Sequence, residues 1–337
     1  MSLPRLASAA LGTGPGAFLL AGPKWQGTPP SDIRQVFRCP TRYAWALGQT
    51  ECGGEDQFAT VNALQAQYHL TPLAAWGQPY TPPTDGRFDT SIDLAVTPVD
   101  QVARMDAGAF FARLGPLMQE NPPYSEDWPI LETMARLGIK PGKPIDVRAA
   151  DPAIARGLQR AVAKVNDELW PEVLKFPNVN GWINPADIGR YARDYSTRMG
   201  IAFVGLGADM REDTIYPTTF YDADGKLLHS DGRYVLRFER GQLPPTNGTW
   251  SVSQYVGNFY ARNVLNRYAI RPSMPLTYGV DGALEIYFQA HPPGGDKDSN
   301  WLPVPLQETF NVTIRNYWPK PEALDGTYKL PPIKKIS

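Results

Sequence analysis

The chain has 337 residues, 42% hydrophobic and 20% charged, which is long enough for two domains with buried cores and ordinary for a globular protein. Its 33 basic and 34 acidic residues nearly cancel, and no run of five like charges occurs. That excludes the electrostatic footprint of a nucleic-acid binder or a polybasic membrane patch. Cys39 and Cys52 are the only cysteines, which excludes a disulfide scaffold and a four-cysteine zinc site.

At the N-terminus, Leu6 to Leu11 and Ala17 to Ala21 are apolar and follow Arg5, but Gly12, Gly14, Pro15 and Gly16 interrupt them. No clear signal peptide is therefore expected, and no stretch approaches the roughly 18 apolar residues of a membrane span. From Gly12 to Val96 the pattern is β. Tyr43, Trp45 and Leu47 alternate with Ala44 and Ala46, and Ile92, Leu94 and Val96 are spaced by two. The cysteines flank the first of these runs, so a cross-hairpin bridge and two part-buried free thiols are both compatible; free thiols are the expectation. Between the runs, Phe58, Val61, Leu64, Gln65 and Tyr68 form a helical face that stops before Thr71-Pro72.

The middle third predicts capped helices. Thr97-Pro98 opens one carrying Val102, Met105, Phe110, Phe111, Leu114 and Met118. Ser125 caps a second with Ile130, Leu131, Met134 and Leu137 on one face, closed by Gly138. Asp151-Pro152 opens a third, with Ile154, Leu158, Val162, Val165 and Leu169 in one stripe, and Asn184-Pro185 opens a fourth, through Ile188, Tyr191, Ala192, Tyr195 and Met199. From Tyr216 onward strands return, separated by turn pairs at Asp224-Gly225, Asp231-Gly232, Asn247-Gly248 and Asp281-Gly282. Clean alternation at 234–239, 250–253, 284–289 and 310–315 predicts half-solvated antiparallel strands, hence a β-sandwich. The expected organisation is α+β: β strands over 12–96, helices over 97–205, and an antiparallel sandwich over 206–337.

No G-x-S-x-G, H-E-x-x-H or phosphate-binding loop occurs, and Gly12-x-Gly14-x-Gly16 lacks dinucleotide-fingerprint spacing. His69, placed at a core-facing helix end, His229 beside a turn, and His291 would all be needed for a three-histidine metal site, so none is expected. Asp296, Asp298 and Asn300 place oxygens at alternate positions as a calcium loop does. Trp301, however, stands where glycine is required and Gln307 where the bidentate glutamate belongs. No metal or cofactor is predicted. A polar and aromatic constellation remains: Trp250, Asn266, Arg267, Tyr268, His291, Asn300, Trp301, Arg315, Tyr317 and Trp318. Aromatic faces beside Asn and Arg hold sugars and other polyhydroxylated chains. The competing reading buries the tryptophans and lets the arginines stack on tyrosine or satisfy loop carbonyls. For hydrolysis, which needs two carboxylates, Glu285 and Asp281 are the first candidates.

The spacing of Trp250-Ser251, Asn266-Arg267-Tyr268, Asp281-Gly282 and Asn300-Trp301-Leu302-Pro303 resembles a bacterial domain of unknown function, 1214. Upstream, Pro40-Thr41, Leu47-Gly48, Gly54-x-Asp56, Leu64-Gln65, Tyr68 and Leu70-Thr71-Pro72-Leu73 resemble its tandem partner, 1254. The resemblance spans nearly the whole chain and implies two jelly-roll-like domains, 1254-like over 1–205 and 1214-like over 206–337, with helices inserted. It also implies a preceding stretch, often carrying an export signal and an Asn-x-Asp-Thr-x-Tyr strand, without counterpart here, so the chain is expected to be an N-terminally shortened member whose full-length relatives are often periplasmic. The functional expectation is a non-catalytic protein that binds a polysaccharide or other polymer, or assembles with copies of itself. The alternative is a hydrolase of a glycan or similar chain using carboxylates of the C-terminal sandwich.

Overall fold

The computed structural model describes residues 16–52, 55–84, 89–176, 178–185 and 188–336. It divides into two compact units, Gly14–Asn166 and one that includes Asp167–Ser337.

In the first unit, β1 (Ala17–Ala21) and β2 (Ile33–Arg38) pair in parallel and bury Leu19, Ala21 and Phe37. The Tyr43–Leu47 and Ile92–Val96 runs are not strands. Tyr43, Trp45, Leu47 and Leu94 are exposed without ladder partners, and alternation alone does not hold a strand that has nothing to pair with. Around Ile92 the backbone is taken instead by aspartate side chains: Ser91 N–H donates to Asp89 (3.0 Å) and Ala95 N–H to Asp93 (2.9 Å), forming turns. Neither Cys39 nor Cys52 is in a disulfide, and burial pushes the Cys39 thiol up. Helix α1 (Phe58–Gln65) forms where its periodicity predicts but buries none of its residues. His69 lies beyond its end and is exposed rather than facing a core.

The run opened by Thr97 is two helices, α2 (Pro98–Ala103) and α3 (Ala107–Glu120), because Asp106 acts as a fresh cap, accepting from Ala109 N–H at 2.7 Å. Asp127, accepting from Tyr124 N–H at 3.0 Å, rather than Ser125, caps the turn leading into α4 (Trp128–Arg136). Gly138, at φ +84°, closes that helix. Asp151 starts α5 (Pro152–Leu174), accepting from Ala153 N–H at 2.8 Å. Ala107, Phe111, Met118, Ile139, Val147 and Leu158 form the core of this unit.

In the second unit, the expected helix from Asn184 is shortened to α6 (Tyr195–Gly205), which Asp194 caps by accepting from Thr197 N–H at 3.0 Å. Gly189 (φ +81°) and Ala192 (φ +43°) are left-handed, which no helix passing through them allows. The strands are β3 (Asn178–Val179), β4 (Trp182–Ile183), β5 (Thr214–Ile215), β6 (Thr218–Thr219), β7 (Tyr234–Phe238), β8 (Trp250–Val256), β9 (Phe259–Tyr260), β10 (Ala269–Ile270), β11 (Leu284–Gln289), β12 (Trp301–Pro303), β13 (Asn311–Tyr317) and β14 (Lys334–Lys335). A short helix, α7 (Pro321–Leu324), precedes β14.

One sheet runs β10-β8-β13-β6-β4-β3, with β5 on β13 and β9 on β8; the other runs β12-β11-β7-β14. All pairs in this unit are antiparallel except β11 with β12. Leu236, Phe238, Ile286 and Phe288 of one sheet join Trp250, Val252, Ile270, Val312 and Ile314 of the other in a single core, so the sheets pack face to face. Trp250 lies 6.2 Å from the Phe238 ring within it. The expected half-solvated faces are more covered than the alternation suggests: Val235, Tyr287 and Trp301 form a second cluster on the side of the small sheet away from that core.

Candidate functional site

Paired residues of an antiparallel ladder share a face, so the register of β8 and β13 sorts their side chains. Val252 faces Ile314 in the core, while Ser251 faces Arg315, Ser253 faces Thr313 and Tyr255 faces Asn311 on the opposite side. The Gly257-Asn258 turn, with Gly257 at φ +57°, returns the chain as β9 and sets Tyr260 opposite Tyr255. Their rings stack at 4.7 Å and 22°, and Tyr268 continues the row 5.8 Å from Tyr260.

The Arg315 guanidinium carbon lies 5.6 Å from the Tyr255 ring centre and 6.0 Å from that of Tyr260, and its Nη1 donates to Ser253 Oγ at 3.4 Å. Thr218 and Thr313 hydroxyls are 2.9 Å apart on the same face. Tyr317 also points to this side, opposite Thr214, and the Tyr216 hydroxyl donates to Asp209 at 2.6 Å. Burial, first of all, raises the Tyr216, Tyr255 and Tyr317 hydroxyls above their ordinary range, so they are neutral donors at neutral pH. Tyr260, the middle ring of the row, keeps 46% of its surface exposed. Stacked rings, a guanidinium and neutral hydroxyls on one face can bind; they include no base or nucleophile placed for chemistry.

Of the other residues singled out from the sequence, Trp250 and Trp301 are buried. Trp301 is 4% exposed, and its indole donates to Gln289 O at 2.8 Å. Asn300 is equally buried, joining the 277 strand-like segment to β11 by donating to Thr277 O (2.6 Å) and Glu285 O (2.9 Å) while accepting from Thr277 N–H (3.0 Å). Arg267 donates to the carbonyls of Asp298 (2.7 Å) and Trp301 (2.8 Å) and so clamps that loop. Asn266, at φ +48°, is exposed and accepts from the Tyr268 hydroxyl at 3.3 Å, and His291 is exposed.

Asp298 accepts from Gly294 N–H at 2.8 Å, and Asn300 Oδ1 accepts from Thr277 N–H at 3.0 Å. Among the described residues no group of three or more His, Cys, Asp or Glu is placed to hold a metal. Glu285 pairs with Arg237 at 2.9 Å, and the same guanidinium binds Glu239 at 2.9 Å and also Asp281. The Tyr287 hydroxyl, then Arg237, holds Glu285 below the usual carboxylate range, and the Ala283 N–H, then Arg237, does the same for Asp281. Both are ionised at neutral pH, the opposite of what a general acid requires. Separately, a cleft of about 260 Å³ lies among Trp182, Asn184, Ile215, Asn316, Leu324 and Tyr328, lined by none of the candidate site residues named above.

Of the residues on this face, Arg315, Tyr268 and Tyr317 were singled out from the sequence, and Tyr255 and Tyr260 were not. The signal was present: Ser251, Ser253 and Tyr255 alternate outward, and a two-residue Gly-Asn turn makes Tyr260 the partner of Tyr255.

Residues 213–321 match the family described as a protein of unknown function, DUF1214, and residues 3–72 match the protein of unknown function DUF1254. No curated protein matches the chain significantly. Among solved structures, the VPA0106 protein from Vibrio parahaemolyticus is 21% identical with a TM-score of 0.62, over 98% of this chain and 78% of that one, a likeness of fold alone. An uncharacterised protein from Burkholderia cenocepacia is 17% identical over 62% of this chain and 49% of its own, with a TM-score of 0.26 that is too low to carry any argument. With the two family matches in tandem, the chain belongs to the family in which a domain of unknown function 1254 precedes a domain of unknown function 1214.

Proposed function

We propose that the protein is a non-catalytic binder of a glycan or other polyhydroxylated polymer, and that the segment from 206 onward does the binding. The observation that carries this reading is the open row of Tyr255, Tyr260 and Tyr268 with Arg315 lying against two of the rings. Ring faces meet the C–H faces of sugars, while Arg315 and the Tyr260 and Tyr268 hydroxyls supply partners for ring hydroxyls. Compared with the residues first drawn from the sequence, the row keeps Arg315 and Tyr268, and it replaces the buried Trp250 and Trp301 by Tyr255 and Tyr260. Hydrolysis is the weaker reading, since Glu285 and Asp281 are committed to Arg237.

The test is calorimetric titration of oligosaccharides and polyethers into the full chain and into Tyr260→Ala. Tyr260 is largely exposed, so its loss should leave the unfolding midpoint nearly unchanged. Removing one stacking ring, worth about 1 kcal/mol, should weaken binding roughly fivefold to tenfold. Undiminished affinity in that variant would place the binding elsewhere or remove it altogether.

A further inference from the structure

We propose that the ligand of the tyrosine row carries carboxylates, as a polyuronate chain does, and that one of them sits on the Arg315 guanidinium. This rests on the binding role assigned to that face.

Three arginines of the same unit give the contrast. Arg237 is surrounded by Glu239, Asp281 and Glu285, Arg190 pairs with Glu212 at 2.6 Å, and Arg267 spends its donors on loop carbonyls. Arg315 has none of these. It is half-buried on β13, its guanidinium carbon lies 5.6 and 6.0 Å from the Tyr255 and Tyr260 ring centres, and the partners its donors reach are neutral hydroxyls, Ser253 Oγ at 3.4 Å and that of Tyr255. Among the described residues no carboxylate forms an ion pair with it.

A guanidinium has five N–H donors in one plane. Neutral hydroxyls take up only part of that fork, and withdrawing the charge from water without a counter-ion is unfavourable. A planar carboxylate answers both deficits with two parallel hydrogen bonds. Asp209, which lies on the Tyr317 side, accepts from Tyr216 and helps to raise both tyrosines, so its charge is directed there rather than at Arg315. The exposed Tyr260 ring beside it offers apolar surface to the hydroxyl-bearing remainder of such a chain.

The experiment titrates an oligogalacturonate trimer and its full methyl ester into wild type, Arg315→Gln and Arg315→Lys, with thermal unfolding in sodium acetate and sodium sulfate alongside. The acid trimer should bind wild type at least tenfold more tightly than the ester, and its affinity should fall with added salt. Arg315→Gln should bind both alike, and Arg315→Lys should keep part of the preference because it retains charge without the fork. Equal binding of acid and ester by wild type would overturn the charge assignment and leave glycan binding standing. If neither trimer binds but acetate raises the midpoint of wild type and not of Arg315→Gln, carboxylate recognition holds and the glycan reading falls; protection by sulfate alone, or by neither salt, overturns the proposal. Should Arg315→Gln not unfold cooperatively, the acid-to-ester ratio in Arg315→Lys decides: a ratio undiminished from wild type excludes fork recognition.

Discussion

Trp301→Ala separates a buried structural tryptophan from a binding platform. The side chain is 4% exposed, packs with Val235 and Tyr287, and donates to Gln289 O at 2.8 Å. Burying a ring of its size removes about 200 Å² from water, or about 5 kcal/mol at about 25 cal/mol per Å². Compactness of the unfolded chain lowers this to about 3–4 kcal/mol. The Gln289 carbonyl keeps a second donor, Val304 N–H at 3.2 Å, so losing the indole adds only about 1 kcal/mol. A total of about 4–5 kcal/mol corresponds to a fall of roughly 8–20 °C in the midpoint of a unit this size. Urea and thermal unfolding followed by circular dichroism would measure it. Trp301→Phe, which keeps most of the buried area, should cost about 1–2 kcal/mol. A Trp301→Ala midpoint within 2 °C of wild type, accompanied by lost ligand binding, would refute this reasoning and restore the ring as a platform.

Three further outcomes are expected. Asn300→Ala leaves both Thr277 backbone groups and the Glu285 carbonyl without the partner they now have, and should destabilise the sandwich by about 2–4 kcal/mol in the same urea titration. The Glu285 carboxyl titrates below its ordinary 4.5 in the folded state, so its stabilisation is complete above that pH and is lost as the pH falls through the folded value. Glu285→Gln should therefore lower stability at neutral pH and flatten the acid limb below about pH 4.5, as read from unfolding midpoints across pH; an acid limb identical to wild type would remove the Arg237 cluster from the account. Gly115 in α3 lies against the carbonyl of Lys143, which a Cβ would strike, so Gly115→Ala should destabilise the Gly14–Asn166 unit by about 1–3 kcal/mol. Hydrogen exchange should then show lost protection in 107–120 with 284–317 unchanged.

The legible parts of this chain are those in which neighbours along the sequence carry the whole physical signal. Period-two alternation located β7, β8, β11 and β13, because each turns one side to a common core. Thr97 and Asp151 announced helix starts, because a cap needs only the N–H groups two or three residues on. The same local rule mispredicted strands at 43–47 and 92–96, where alternation is present but no partner strand exists among the described residues, and extended a helix through the left-handed Ala192. The identity of the site depended on distance. Asn300 and Trp301 had the composition of a sugar platform, but contacts with Thr277, Glu285 and Gln289, far along the chain, bury them as supports. Arg315 forms no ion pair among the described residues because register sets it opposite Ser251 and beside the Tyr255–Tyr260 stack. Local periodicity decides which way a side chain points; strand pairing between remote segments decides what it meets there.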